Sequence, residues 1–313
     1  MTADNKPRAA ALLLTGIFFA TTQDALFKAM NVGYPVWETI MFRGVVAIVL
    51  FGIWGAIQGR NLFRLPRGSS LILVRGFLLF TSYLGFCASI ATLPLANATA
   101  LYFTMPFFVG ALAGPVLGEK VPAYRWLAIA MGFCGVLVSV RPGGESFQPA
   151  ALFAIYSGAS YAVGQLVGRK VKVAVDPLVV GNMQSICYLI GALLMGGIIT
   201  VLHLDGSASP TLAALTADFT WPNWRDLSVM VAIGALAMIS TVFFVKAYFS
   251  APVNFVAPLE YSAIITATIF GITIYGDYPD FYTIAGAAIV IGSGLFMIVM
   301  DGRKTEAAIH VTG

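Results

Sequence analysis

The 313-residue sequence is poor in charged residues and in histidine. Only 10% of its residues are charged, against roughly 25% in soluble domains, and its two histidines are His203 and His310. None of the patterns H-E-x-x-H, G-x-S-x-G or GxxxxGK[ST] occurs, so zinc-protease, serine-hydrolase and nucleotide-loop chemistry have no sequence support. We therefore expect neither an enzyme nor an ATP-driven pump, and no cofactor.

Cysteine is also scarce. Cys87, Cys134 and Cys187 lie in apolar stretches, far apart in sequence from one another and from both histidines. This spacing predicts neither a disulfide framework nor a metal site, and a cysteine in apolar surroundings is most often a small core residue. The net charge of +4 comes from residues in loops, where membrane topology explains it. We expect no nucleic-acid partner.

Apolar residues, by contrast, make up 59% of the chain, and the mean hydropathy is +0.87. About 20 apolar residues cross the 30 Å core of a bilayer, and the runs lack the alternation of barrel strands. The predicted fold is all-α and integral to the lipid bilayer. It has ten transmembrane helices, near residues 9 to 30, 35 to 57, 71 to 92, 95 to 117, 124 to 140, 149 to 168, 177 to 203, 227 to 249, 254 to 275 and 282 to 300.

The first apolar run follows Lys6 and Arg8, as in a secretory signal peptide. Because it continues to about Met30 and nine further runs follow, we interpret it as a retained first helix.

The basic residues of the connections predict the orientation. If the ten helices alternate in direction, the basic residues on one side are mainly Arg141 and Arg225, together with Asp205, Asp218, Asp277 and Asp280. The other side carries Lys6, Arg8, Arg60, Arg64, Arg67, Arg75, Lys120, Arg125, Arg169, Lys170, Lys172, Arg303 and Lys304. By the positive-inside rule, both termini are cytoplasmic in a multi-pass protein of a bacterial inner membrane.

The second half of the chain repeats the first at an offset of 158 residues. The offset aligns Phe86 with Phe244, Pro94 with Pro252, Gly118 with Gly276, Glu119 with Asp277, Tyr124 with Tyr282, Ala130 with Ala288 and Leu137 with Leu295. We predict two five-helix repeats, residues 1–145 and 146–313. Because five is odd, the repeats have opposite orientation, and a central cavity between them could open alternately to either side. The alternative is a duplication kept only for stability.

Two segments resemble a known family. "LPLANATALYFTMPFFVGALAGPVLGEKVPAYRWLAIAMGFCGVLV" and "APVNFVAPLEYSAIITATIFGITIYGDYPDFYTIAGAAIVIGSGLF" each contain a small-polar turn, a proline-containing helix, a "GE" or "GD" pair and a Gly-rich helix. They resemble the repeats of the drug/metabolite transporter superfamily, EamA type, and Arg43 resembles the arginine usual early in its second helix. Asp277 departs from the usual glutamate, and Pro258 lies six residues before the position that the offset assigns to Pro106.

Within that superfamily, the chain is most similar to the amino-acid exporters of bacterial inner membranes, including the aromatic amino-acid exporter. The resemblance implies a basket of helices and a secondary transporter that exports small metabolites, most of all neutral or aromatic amino acids. Its partners would be a small-molecule substrate and lipid, with a monomer as the working expectation. The alternatives are a multidrug, nucleobase or sugar-phosphate transporter, or a membrane protein with a structural or sensory role.

Polar and aromatic side chains within the apolar helices are the candidate substrate contacts. Such groups are tolerated at membrane depth when they face a cavity or a partner helix, and aromatic side chains with hydroxyls suit a small organic ligand. The candidates are Tyr83, Thr99, Tyr102, Tyr161, Gln165, Phe244, Tyr248, Glu260 and Tyr261. Glu260, two residues after Pro258, would hold a substrate ammonium or carry a proton; the alternative is a structural salt bridge with Lys246.

The other polar residues within the apolar helices have structural interpretations. Asp24 and Lys28 are four residues apart on the first helix and are predicted to pair. Arg43 is predicted to bind a helix end or Glu38. Asn97 is predicted to cap the start of the fourth helix and, with Tyr102, to face inward.

Small residues and prolines mark candidate gating or packing positions. Gly110, Gly114 and Gly118 form a face at spacing four that would let another helix approach closely. Pro115 and Pro258 each remove a backbone donor and could bend their helices. Glu119, at the cytoplasmic end of the fourth helix, is interpreted as a gate or anchor, with solvent exposure as the alternative.

Overall fold

A computed structural model describes residues 6–118, 121–141, 148–171, 175–203, 209–251 and 253–312. Throughout these ranges the chain is helical or irregular, without strands. The helices are α1 Lys6–Met30, α2 Val36–Ile57, α3 Leu71–Ile90, α4 Leu95–Tyr102, α5 Met105–Leu117, α6 Ala123–Val140, α7 Ala150–Arg169, α8 Pro177–Leu202, α9 Pro210–Thr216, α10 Trp224–Ser250, α11 Val253–Val256, α12 Ser262–Phe270 and α13 Phe281–Thr312.

The predicted all-α membrane fold is confirmed. In the described ranges, nine helical stretches are long and apolar enough to cross a membrane, when α4 and α5 are taken together as Leu95–Leu117. The stretch Leu259–Tyr275 is apolar but shorter, and it occupies the position of the predicted ninth crossing.

The fourth and ninth crossings are both broken in mid-course. The fourth is interrupted between α4 and α5, where Pro106 occupies the first turn of the new helix, a position at which the missing N–H costs little. The ninth contains a 3₁₀ turn, Ala257–Tyr261, between α11 and α12. The two interruptions fall at equivalent positions of the 158-residue offset, although the prolines beside them do not.

Both broken crossings also end in the same way. Gly118 ends the fourth crossing with φ 74° and Gly276 ends the ninth with φ 68°, a left-handed conformation that glycine adopts without a Cβ penalty. These glycines are 158 residues apart. This agreement supports the equivalence of the two segments, whereas the division of the chain at residues 145 and 146 stays a prediction.

The packing of the helices has an approximate twofold pattern. α1 packs on α10 as α7 packs on α3, and α2 packs on α10 as α8 packs on α3. α2 also packs on α8, and α6 on α13. Exchanging the first five crossings with the last five leaves this set of contacts unchanged. The pattern is that expected of two related repeats packed face to face.

A close backbone approach joins α6 and α13. A Cβ atom built at Gly286 would lie 2.6 Å from the carbonyl oxygen of Gly135, and one at Gly135 would lie 2.9 Å from that of Gly286. Small residues at such crossings let membrane helices pack backbone to backbone.

We therefore expect Gly286→Ala to destabilise the protein, because overpacking costs about 1–3 kcal/mol and here the obstacle is backbone. Gly292→Ala is the matched control on the same helix, since a Cβ there would meet nothing within 4 Å. Thermal unfolding in detergent should place the melting temperature of Gly286→Ala several degrees below that of Gly292→Ala. Equal melting temperatures would contradict the crossing.

Candidate functional site

A central cavity of about 750 Å³ lies among the helices of both halves. Its wall includes all nine candidate substrate residues: Tyr83, Thr99, Tyr102, Tyr161, Gln165, Phe244, Tyr248, Glu260 and Tyr261. Burial among helices explains how lipid tolerates these polar groups. Their role in substrate binding stays a prediction.

The cavity extends from the middle of the helices to one face of the protein. Arg125, in the first turn of α6, and Arg169, the exposed last residue of α7, line the part of the cavity nearest this face. Asp24 and Arg43 line its inner part. The open end is on the face that the basic loops predict to be cytoplasmic.

Ion pairs and a hydrogen bond between the two halves close the opposite face. The contacts are Lys28 with Asp277 (2.7 Å), the Tyr34 hydroxyl donating to Asp226 (2.7 Å), and Arg141 with Asp280. Hydrogen bonds from Thr283 and the Arg141 guanidinium lower the pKa of Asp280, so this carboxylate is ionised at neutral pH. We call these three pairs the outer contacts. The structure is therefore open at one face and closed at the other.

Lys28 is the most extensively bound residue of the outer contacts. Its Nζ donates to the carbonyl of Leu93 (2.9 Å) as well as to Asp277, and it lies 4.9 Å from the ring centre of Tyr275. It thus joins the first, fourth and ninth crossings. The predicted pairing of Lys28 with Asp24 is wrong, because Lys28 binds Leu93 and Asp277, which lie outside α1.

Arg43 is a cavity residue whose place the sequence did not predict. Its guanidinium carbon lies 4.6 Å from the ring centre of Tyr83 and 4.9 Å from that of Tyr188, where cation–π attraction holds it. Glu38, its predicted partner, instead accepts a hydrogen bond from the Thr220 amide (3.0 Å). The predicted pairing of Arg43 with Glu38 or a helix end is therefore wrong.

Gln23 connects Arg43 to a carboxylate. Arg43 Nε donates to Gln23 Oε1 (3.4 Å), while Gln23 Nε2 donates to Asp24 Oδ1 (3.2 Å) and to the Tyr83 hydroxyl (2.6 Å). Opposite charges therefore lie on the two sides of one amide, in the inner part of the cavity. We call Gln23, Asp24 and Arg43 the charge triad.

Glu260 forms a second polar centre, on the 3₁₀ turn. Its carboxylate accepts a hydrogen bond from the Tyr248 hydroxyl. Lys246, the alternative partner, is exposed, and no ion pair joins it to Glu260 in the described part of the chain. The turn therefore presents Glu260 to the cavity with a neutral partner.

Aromatic rings line the cavity together with the two polar centres. The Tyr102 ring centre lies 5.6 Å from those of Phe86 and Tyr161, both in edge-on arrangements. The wall thus combines the charge triad, a group of aromatic rings and Glu260.

Asn97 does not have the role predicted for it. Pro94 occupies the N-cap position of α4, and Asn97 Nδ2 instead donates to Thr283 (3.2 Å). It lines a separate pocket of about 200 Å³ that also includes Arg141 and Asp280. Asn97 therefore faces α6 and α13 rather than the central cavity.

The candidate gating residues are distributed along the broken crossings. Gly110 lines the cavity, and a Cβ there would make ordinary contacts with Met297 (3.5 Å) and Ile129 (3.6 Å). Pro115 is exposed within α5, and Gly114 accepts the hydrogen bond from the amide of Gly118 (2.8 Å).

Gly118 ends α5, and Pro258 lies in the first turn of the 3₁₀ segment. The gating roles of these residues stay predictions. Glu119 lies outside the described residues.

Metal-binding clusters are not found among the described residues. Cys87 and Cys187 are buried and Cys134 is exposed, all as free thiols.

The comparisons with known proteins agree with this architecture. Residues 7–141 match the EamA-like transporter family. The S-adenosylmethionine uptake transporter of Rickettsia felis is 24% identical over 94% of this chain and 95% of its own length. The pseudopaline exporter of Pseudomonas aeruginosa is 26% identical over 90% and 92%, and the riboflavin transporter of Rhizobium johnstonii is 26% identical over 69% and 66%.

A protein of known crystal structure shares the fold. It aligns with 96% of this chain and 99% of its own, with a TM-score of 0.60 and 17% identity. The substrates named for these relatives differ, so the comparisons do not single out amino-acid exporters. The match over residues 7–141 and the relatives that align over almost the whole chain show that this protein is similar to membrane transporters of the EamA-like family.

Proposed function

We propose that the protein carries amino acids and amino-acid derivatives across a bacterial inner membrane by alternating access, with both termini in the cytoplasm. The charge triad is the observation that carries this proposal. An α-amino acid presents a carboxylate and an ammonium on neighbouring atoms, and Arg43 and Asp24 offer the complementary charges on the two sides of Gln23. Arginine suits carboxylate recognition because its planar guanidinium donates two parallel hydrogen bonds.

The remainder of the cavity favours a substrate with an apolar or aromatic body. Pockets for drug-sized ligands measure about 300–1,000 Å³, and 750 Å³ leaves room for a body larger than that of a free amino acid. Phe86, Tyr102 and Tyr161 would contact such a body. S-adenosylmethionine and riboflavin, which relatives carry, both contain fused aromatic rings.

The difference between the two faces of the protein supports alternating access rather than an open pore. The cavity is open at the face with Arg169 and closed by the outer contacts at the other face. Related repeats can exchange these roles when one rocks against the other. Export is the proposed direction, as the resemblance to the amino-acid exporters implies, and the substrate gradient or an ion gradient would drive it.

The test is flux through purified protein in liposomes. A labelled panel of phenylalanine, threonine, methionine, S-adenosylmethionine and riboflavin is offered with and without a pH gradient. We expect saturable flux of at least one amino-acid compound and competition by the others. Flux of riboflavin alone would contradict the amino-acid class, and dependence on the gradient would indicate proton coupling.

A further inference from the structure

We infer that the substrate carries a second positive charge besides its α-ammonium and that Glu260 binds this charge. The substrate class is then that of net-cationic amino-acid derivatives, with a sulfonium, quaternary ammonium or side-chain ammonium group. The inference rests on the proposed function and specifies the end of the substrate that lies away from the charge triad.

At membrane depth the cavity wall carries Asp24, Arg43 and Glu260, whereas Arg125 and Arg169 line its open end. Asp24 and Arg43 lie on the two sides of Gln23 and balance each other. Glu260 has the neutral hydroxyl of Tyr248 as its hydrogen-bond partner. At this depth the wall therefore has one more carboxyl group than cations.

No ion pair found among the described residues includes Glu260. Lys246 lies on the same helix as Tyr248 but is exposed, and Arg125 and Arg169 line the open end of the cavity. A carboxylate at this depth with a neutral partner is costly. A cationic ligand would offset that cost upon binding.

The Glu260 carboxylate lies on an aromatic part of the cavity wall. Tyr248 donates to it, and Tyr102, Tyr161 and Tyr261 line the same cavity. Aromatic faces attract organic cations, sulfonium and quaternary ammonium included, by cation–π interaction. A carboxylate within a group of rings therefore favours a soft organic cation over a neutral or anionic group.

The charge triad and Glu260 share the cavity wall with the rings of Tyr102 and Tyr161, whose centres are 5.6 Å apart. A ligand that reached both centres would place its α-amino-acid head at the charge triad and its second cation at Glu260. The apolar linker of such a ligand would contact the aromatic rings of the cavity.

Methionine and S-methylmethionine form a matched pair of probes, because they differ by one methyl group and one positive charge. Binding of each to the purified full-length protein in nanodiscs is measured by titration calorimetry. We expect the wild-type protein to bind S-methylmethionine at least tenfold more tightly than methionine. In Glu260→Gln, the affinity for S-methylmethionine should fall at least tenfold more than the affinity for methionine.

Two further variants complete the experiment. Glu260→Asp retains the negative charge and should keep a preference for S-methylmethionine, which guards against poor folding of the glutamine variant. Asp176→Asn removes a carboxylate that pairs with Arg60 away from the cavity, and it should keep the wild-type ratio of affinities.

The failures of the two proposals can be distinguished. Wild-type binding of methionine without a preference for S-methylmethionine would overturn the second charge and leave the proposed function standing. A preference that persists in Glu260→Gln would overturn the assignment to Glu260. Binding of neither probe would overturn the second charge, whereas the proposed function falls only if the flux panel also shows no transport of any amino-acid compound.

Discussion

Arg43→Gln is expected to reduce substrate transport at least 100-fold while the protein still inserts and folds. Removal of one member of a buried charge pair costs about 3–5 kcal/mol, and a substrate carboxylate would lose the same cation. Arg43→Lys should also lose at least tenfold, because lysine keeps the charge but cannot form two parallel hydrogen bonds or cover two rings as the guanidinium does.

The measurement for Arg43 is initial transport rate in liposomes at equal amounts of monodisperse protein. Arg60→Gln is the matched control, since Arg60 pairs with Asp176 at the surface, outside the cavity, and exposed pairs contribute about 0–1 kcal/mol. Transport by Arg43→Gln at the rate of the Arg60→Gln control would remove the charge triad from the mechanism.

Lys28→Met is expected to expose the cavity to the closed face. Lys28 and Asp277 are 14% and 27% exposed in their side chains, so the loss of this pair costs less than the full penalty for a buried one. Even so, the substitution also removes the hydrogen bond to Leu93 and the cation–π contact with Tyr275. We expect about a tenfold rise in access from that face, the equivalent of about 1.4 kcal/mol.

A single introduced cysteine can report this access. The chain has three cysteines, so a variant without them is a practical background for Thr99→Cys, on the cavity wall. A membrane-impermeant maleimide applied from the Lys28 face should label Thr99→Cys about tenfold faster when Lys28→Met is present. Lys246→Met, an exposed lysine on the other face, is the control. Equal labelling rates in both variants would show that Lys28 does not close this face.

Much of the fold could be predicted from the sequence because the bilayer restricts it so strongly. Apolar runs of membrane-spanning length can form little except helices, and polar residues within them must face protein or a cavity. Both constraints apply to Glu260, Tyr102 and the seven other candidates, and all nine lie on the cavity wall. The 158-residue offset likewise pairs Gly118 with Gly276, which share a left-handed conformation.

The charge triad could not be predicted from spacing, because its contacts join different helices. The i, i+4 rule pairs Asp24 with Lys28, but the long lysine side chain reaches Asp277 across the interface instead. Arg43 then approaches Asp24 through Gln23 from the second crossing. A usable signal was present nonetheless, since Gln23, Asp24 and Arg43 are polar residues in apolar runs.

The error at Asn97 has a similar local cause. Asparagine is a strong N-cap residue, which favoured that role for Asn97 near the start of a helix. However, α2, α4 and α6 all begin after a proline, Pro35, Pro94 or Pro122, without a side-chain cap. Proline ends the preceding extended segment itself, and Asn97 is left free to bind Thr283.

The central claim is that one substrate site opens alternately to the two faces, and counterflow tests it most directly. Liposomes that contain purified protein are loaded with unlabelled methionine or S-methylmethionine and diluted into a trace of the same labelled compound. We expect label to accumulate transiently above equilibrium with the wild-type protein and not with Arg43→Gln. Label that only equilibrates, at a rate that does not saturate with concentration, would show an open pathway and contradict alternating access.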